Sequence, residues 1–103
     1  MSDGVSIEEG LETRLEKLKL AKTGLFMYQE GINQFPIVAK LEGISFERRK
    51  NEFGIPEIYI TWQNLSSQSK MPELLEQLHK YDKRVAGQKD YPISRFAFIR
   101  ILE

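Results

Sequence analysis

The feature that most constrains this fold is a pair of alternating segments set around a short glycine-containing loop. Ile44-Ser45-Phe46-Glu47-Arg48-Arg49-Lys50 alternates apolar and polar residues and then turns polar. Residues 57–63 place Ile58, Ile60 and Trp62 on one side, with Tyr59 and Thr61 on the other. Successive side chains of a strand point to opposite faces, so each run has one face for a core. The loop at 51–56 carries Gly54, and the three segments together predict an antiparallel hairpin.

The flanking sequence supplies what covers that hairpin. Leu11, Leu15, Leu18 and Leu25 fall near a 4-3 spacing with charged residues between them, which predicts an amphipathic helix. Ser6 and Glu9 form a capping box at its start, residues 1–5 read as a frayed end, and Gly24 reads as the C-cap just past Thr23. The leucine seam packs on the chain's own sheet or, alternatively, makes a helix–helix dimer contact. Residues 25–34 fit either a helical extension or a strand. From Pro36 a strand follows, with Ile37, Ala39 and Leu41 inward and Lys40 and Glu42 outward, and Gly43 marks a turn.

A second helix is predicted after the hairpin, with Ser69 as cap and Pro72 in the first turn, where its missing N–H costs little. Its stripe is Met71, Leu74, Leu75, Leu78, Tyr81 and Val85, and Gly87 stops it. The last strand, 93–102, is apolar on both faces, which predicts a place at the centre of a sheet or against a partner chain. The expected order is α-β-β-β-α-β. This is an α+β fold in which two helices cover one face of a mainly antiparallel sheet, with residues 1–103 forming a single domain.

Composition removes several kinds of chemistry. The chain has no cysteine and one histidine, so thiol nucleophiles, thiolate metal sites and paired-histidine sites are excluded. Fifteen basic and fifteen acidic residues cancel, which argues against a binder of nucleic acid that relies on overall charge and is compatible with self-association. The acidic residues 1–10 lack the apolar core of a signal peptide, and no apolar run approaches the ~18 residues of a membrane span. Together these features predict a cytoplasmic protein.

Candidate functional residues are few. His79 sits beside the second helix's apolar stripe near Glu76 and Asp82, where a surface role is expected. Glu42, Glu47 and Glu57 fall on neighbouring strands, interleaved with Lys40, Arg48 and Arg49. Cross-strand ion pairs are expected of them, and a small metal-dependent enzyme using Glu42 or Glu47 is the rival. Arg48, Arg49 and Lys50 form the densest basic run, with Phe53 at the loop and Tyr59 on the outer strand face. These five are the candidate binding residues, able to grip a phosphate backbone and stack a base, although Arg48 and Arg49 point to opposite faces. Trp62 is expected in the core.

Phe35-Pro36-Ile37-Val38-Ala39-Lys40-Leu41-Glu42-Gly43-Ile44-Ser45-Phe46 resembles the first palm strand of the tRNA-His guanylyltransferase family. That resemblance implies a magnesium-binding role for Glu42. The family carries Asp at this point, and its second acidic pair has no counterpart after a later strand here. The element order is also similar to the double-stranded-RNA-binding domain, but only Lys70 stands where that domain has a basic cluster. Without a convergent polar site, no catalytic residue, metal or cofactor is predicted. The reading is a non-enzymatic interaction, regulatory or assembly module, homo-oligomeric or bound to a protein partner, with a nucleic-acid or nucleotide binder using the 48–53 hairpin end as the alternative.

Overall fold

The computed structural model describes residues 7–62 and 71–103. Its elements are α1 (Ile7–Leu20), β1 (Thr23–Glu30), β2 (Asn33–Lys40), β3 (Ser45–Lys50), β4 (Pro56–Thr61), α2 (Glu73–His79), β5 (Asp90–Pro92) and β6 (Phe96–Ile101). Two 3-10 turns, Lys83–Gly87 and Ile93–Arg95, flank β5. The expected α+β class holds, with one strand more than expected on each side of α2. The caps assigned to Ser6 and Ser69, and the frayed residues 1–5, lie outside the described residues.

The strands make two antiparallel three-stranded sheets, β2-β1-β6 and β3-β4-β5, where a single sheet was expected. The predicted hairpin is β3-β4, pairing Phe46 with Ile60 and Arg48 with Ile58. Asn51 closes its tip: the Asn51 Oδ1 accepts from the N–H groups of Phe53 and Ile55 at 2.9 and 3.0 Å. Gly54 sits at φ 77°, a conformation that favours glycine.

Both sheets turn one face to a shared core. Phe26 and Tyr28 from β1, Ile37 and Ala39 from β2, Phe46 from β3, and Ile58 and Ile60 from β4 are buried together. Leu15 and Leu18 of α1 and Leu74, Leu75 and Leu78 of α2 close the cluster. Helix α1 packs on β3 and β4, whereas α2 packs on β2, so the two helices do not share one sheet face as expected. Trp62 packs against the cluster as expected. Five rings, Phe35, Tyr81, Tyr28, Phe96 and Tyr91, run in sequence from the surface into the core with neighbouring centroids 4.9 to 6.5 Å apart.

Three boundaries differ from the sequence reading. First, α1 ends at Leu20, and Gly24 lies within β1 instead of capping a helix. A Cβ on Gly24 would come within 2.9 Å of the Phe26 ring, so glycine is required there by the ring that lies over it. The ambiguous segment 25–34 resolves into β1 and the start of β2, joined at Gly31 and Ile32. Second, α2 stops at His79; Val85 is buried from a separate 3-10 turn that Asp82 caps. Third, the last apolar segment begins as a 3-10 turn, and β6 is an edge strand instead of a central one. The central strand is β1, which β2 pairs along its whole length and β6 from Gly24 to Tyr28.

Candidate functional site

The five candidate binding residues do not form one surface. Arg48 donates from Nη1 to Glu12 of α1, on the side of β3 that faces the helix. Arg49 projects from the opposite face, its guanidinium 4.7 Å from the Tyr59 ring centroid and its Nη2 2.9 Å from Asp90 Oδ2. The Arg49 Nε is buried, and Glu47 Oε1 stands 3.6 Å away. Burial and the nearby Glu57 carboxylate raise the Tyr59 hydroxyl pKa above its ordinary value, so the ring works as a neutral platform under Arg49. Lys50 is exposed at the strand end, and Phe53 is 77% exposed at the hairpin tip. What the strand brings together is therefore Arg49 and Tyr59, in a patch whose positive charge is answered by Asp90 and Glu47.

The candidate acids do not converge either. Glu42 is exposed beyond β2, Glu47 lies beside Arg49, and Glu57 accepts from Ser94 Oγ and from Asn51 Nδ2. Among the described residues, no three acids or histidines are placed to hold a metal ion. His79 is half-buried at the end of α2. Glu57 lines a groove of about 430 Å³ whose walls also include Arg14, Ile55, Ile93 and Phe96.

Asp82 is the buried acid that sequence reasoning missed, only 5% exposed. Its oxygens accept from Arg84 Nε and Nη2 at 2.9 and 3.0 Å, from the Arg84 N–H at 3.1 Å, and from the Tyr91 hydroxyl at 3.2 Å. The Arg84 hydrogen bond is the main reason its carboxyl sits below the usual aspartate range. Burial pushes the Tyr91 hydroxyl pKa strongly up. A signal was present in the sequence: Asp82 lies four residues after Leu78 and three before Val85, so a carboxylate interrupts an apolar stripe. Both carboxylate oxygens are taken by donors of the chain itself, and the network joins the end of α2 to β5, which makes it a structural clasp.

The surface that stands out is the outer face of the β2-β1-β6 sheet. Cross-strand register places Pro36, Met27 and Phe98 in one row and Val38, Leu25 and Arg100 in the next. Val38 and Phe98 are 52% and 51% exposed, and Leu25 and Met27 are half-buried between them. Gln29, Gln34, Lys40 and Arg100 border the apolar centre. An apolar centre inside a polar rim is the usual anatomy of a protein–protein contact.

The two edges of this sheet are treated differently. On β2, the N–H of Lys40 donates to the Glu73 carboxylate, and the Val38 carbonyl accepts from Gln77 Nε2 at 2.9 Å. Pro36 has no N–H to offer. Helix α2 therefore satisfies the outward backbone groups of β2 with side chains one turn apart. On β6 no described side chain does the same. A register shift at Met27/Tyr28 leaves Ala97 without a β1 partner, and beyond it the strand runs regularly to Ile101.

Comparison with known proteins adds no assignment: no family model, no curated protein and no solved structure matches the chain.

Proposed function

We propose that the chain is a non-enzymatic interaction module that works by self-association, with the β6 side of the β2-β1-β6 sheet holding a second copy. The observation that carries this reading is Phe98, 51% exposed on an edge strand that no described side chain caps, while the opposite edge is closed by α2. Exposed apolar rings beside open backbone edges are where sheets acquire partners. A second copy is favoured as occupant because the formal charge is zero, so identical chains do not repel at long range. Support for a phosphate-gripping hairpin end is thinner, since Arg48 and Arg49 each face a carboxylate.

No helix among the described residues is long and apolar enough to cross a membrane. The test is sedimentation velocity across a wide concentration range, on the native chain and on Phe98→Glu. The native chain is expected to sediment as a dimer at high concentration. Phe98→Glu is expected to remain a monomer with an unchanged melting temperature, because a half-exposed ring contributes little to the monomer's own core. A native chain that stays monomeric throughout would overturn the reading.

A further inference from the structure

Resting on that self-association reading, we infer a specific pairing. Two copies join β6 to β6 antiparallel about a two-fold axis, with Ile99 opposite Ile99 and each Arg100 opposite Phe98 of the second copy.

The ladder decides which backbone groups are available. The Leu41 N–H donates to the Lys22 carbonyl and the Leu102 N–H to the Thr23 carbonyl, each at 2.9 Å. Antiparallel bonds alternate, so even-numbered residues of β1 serve β2 and odd-numbered ones serve β6. The capped groups on β2, at Val38 and Lys40, are the outward ones that this alternation requires. By the same count, Phe98 and Arg100 of β6 bond to β1, while Ile99 and Ile101, beyond the register shift, direct their N–H and C=O groups away from the sheet. No bond to those outward groups occurs among the described residues. Two successive outward positions, both with apolar side chains, are a strand edge ready to be paired.

Charge then chooses the register. Outward residues must face outward residues, so the symmetric alignments centre on Phe98, Ile99 or Arg100; the Phe98 one would rest every hydrogen-bonded pair on Ala97 at the register shift, which leaves two. One centres on Arg100 and sets two guanidinium groups directly opposite each other, a destabilising arrangement. The other centres on Ile99, brings two isoleucines together on the core side, and puts each Arg100 over a Phe98 ring on the outer side. An arginine over an aromatic face is attractive, and it shields the ring that the monomer leaves exposed. Arg100 makes no ion pair among the described residues, so nothing must be broken to place it there. Two such contacts form per pair, because the axis repeats each.

The chain has no cysteine, so one introduced thiol reports one position without ambiguity. Opposed residues of a hydrogen-bonded antiparallel pair lie about 5.5 Å apart at Cα, within the ~4.4–6.8 Å that a disulfide spans. Ile99→Cys is expected to form a linked dimer under mild oxidation at least about tenfold faster than Arg100→Cys, because pairing raises the effective concentration of the thiols. Amide exchange on the native chain gives a readout that needs no substitution. The N–H groups of Ile99 and Ile101 are expected to slow about tenfold or more as concentration rises, while those of Phe98 and Arg100 stay as they are. Suppose the native chain is a dimer, yet the Ile99→Cys variant links no faster than Arg100→Cys and the Ile99 and Ile101 amides do not slow. This pairing is then wrong, and self-association stands. If the native chain is a monomer at every concentration, both readings fall.

Discussion

Replacing Asp82 with alanine tests whether the buried clasp between α2 and β5 is a major contributor to stability. Three losses follow from the geometry. The Tyr91 hydroxyl, on a residue 2% exposed, is left without its acceptor, and a stranded buried donor costs about 1–3 kcal/mol. The 3-10 turn Lys83–Gly87 loses its cap, costing about 1 kcal/mol. The Arg84 pair is bidentate, but Arg84 is 65% exposed, so solvent screening leaves it a minor share beside the other two. The expected total is about 3 kcal/mol. For a domain of this size that lowers the melting temperature by about 12–24 °C, readable by calorimetry or urea titration followed by circular dichroism.

Tyr91→Phe, which removes the donor together with its need for an acceptor, should cost only about 1 kcal/mol. The acid limb adds an independent check. The Asp82 carboxyl is held below its ordinary value by Arg84, so its contribution is complete above the unfolded-state pKa and is lost as pH falls through the lowered folded-state value. Asp82→Asn keeps the shape without the charge, so its deficit against the native chain should shrink as the solution is acidified. A loss below about 1 kcal/mol for Asp82→Ala, well short of the buried-donor cost, would refute the reasoning. So would parallel pH profiles for the native chain and Asp82→Asn.

Two further substitutions probe the turns and the closed edge. Gly43 sits at φ 86°, and a Cβ there would meet Pro72 Cγ at 3.3 Å; Gly43→Ala should cost about 1–2 kcal/mol by thermal denaturation, from left-handed backbone strain alone. Replacing Glu73 and Gln77 together by alanine strands two backbone groups of β2 at a partly wet edge. A loss of about 1–2 kcal/mol is expected in chemical denaturation.

What the sequence made legible follows from how local each signal is. The β3-β4 hairpin was readable because its alternation and its glycine lie close together in the chain and point to one structure. The end of α1 was not, because Leu25 continues the leucine spacing and a glycine after Lys22-Thr23 looks like a helix stop. Only pairing with β2 and β6 makes Leu25-Phe26-Met27-Tyr28 a central strand, and short apolar runs do not declare their period. The apolar character of β6 was visible, but its position was not: two greasy faces show that both meet something, not whether the chain itself supplies it. For the site, the separation of Arg48 from Arg49 followed from strand alternation. The acids that neutralise them, Glu12 and Asp90, come from elements whose placement no local pattern encodes.

The closure of β2 by α2 has a consequence for the size of any assembly. A unit with two unguarded margins can add copies at both and grow into a filament, whereas a unit with one can be joined only once. Pro36, Glu73 and Gln77 guard one margin of this sheet at Val38 and Lys40, so β6 is the margin through which this sheet is most readily extended. Through this sheet the product is a pair that more protein does not readily lengthen. In that role the seven residues of α2 act as a terminator, separating a finite partnership from the fibre that the same strands would otherwise be free to build.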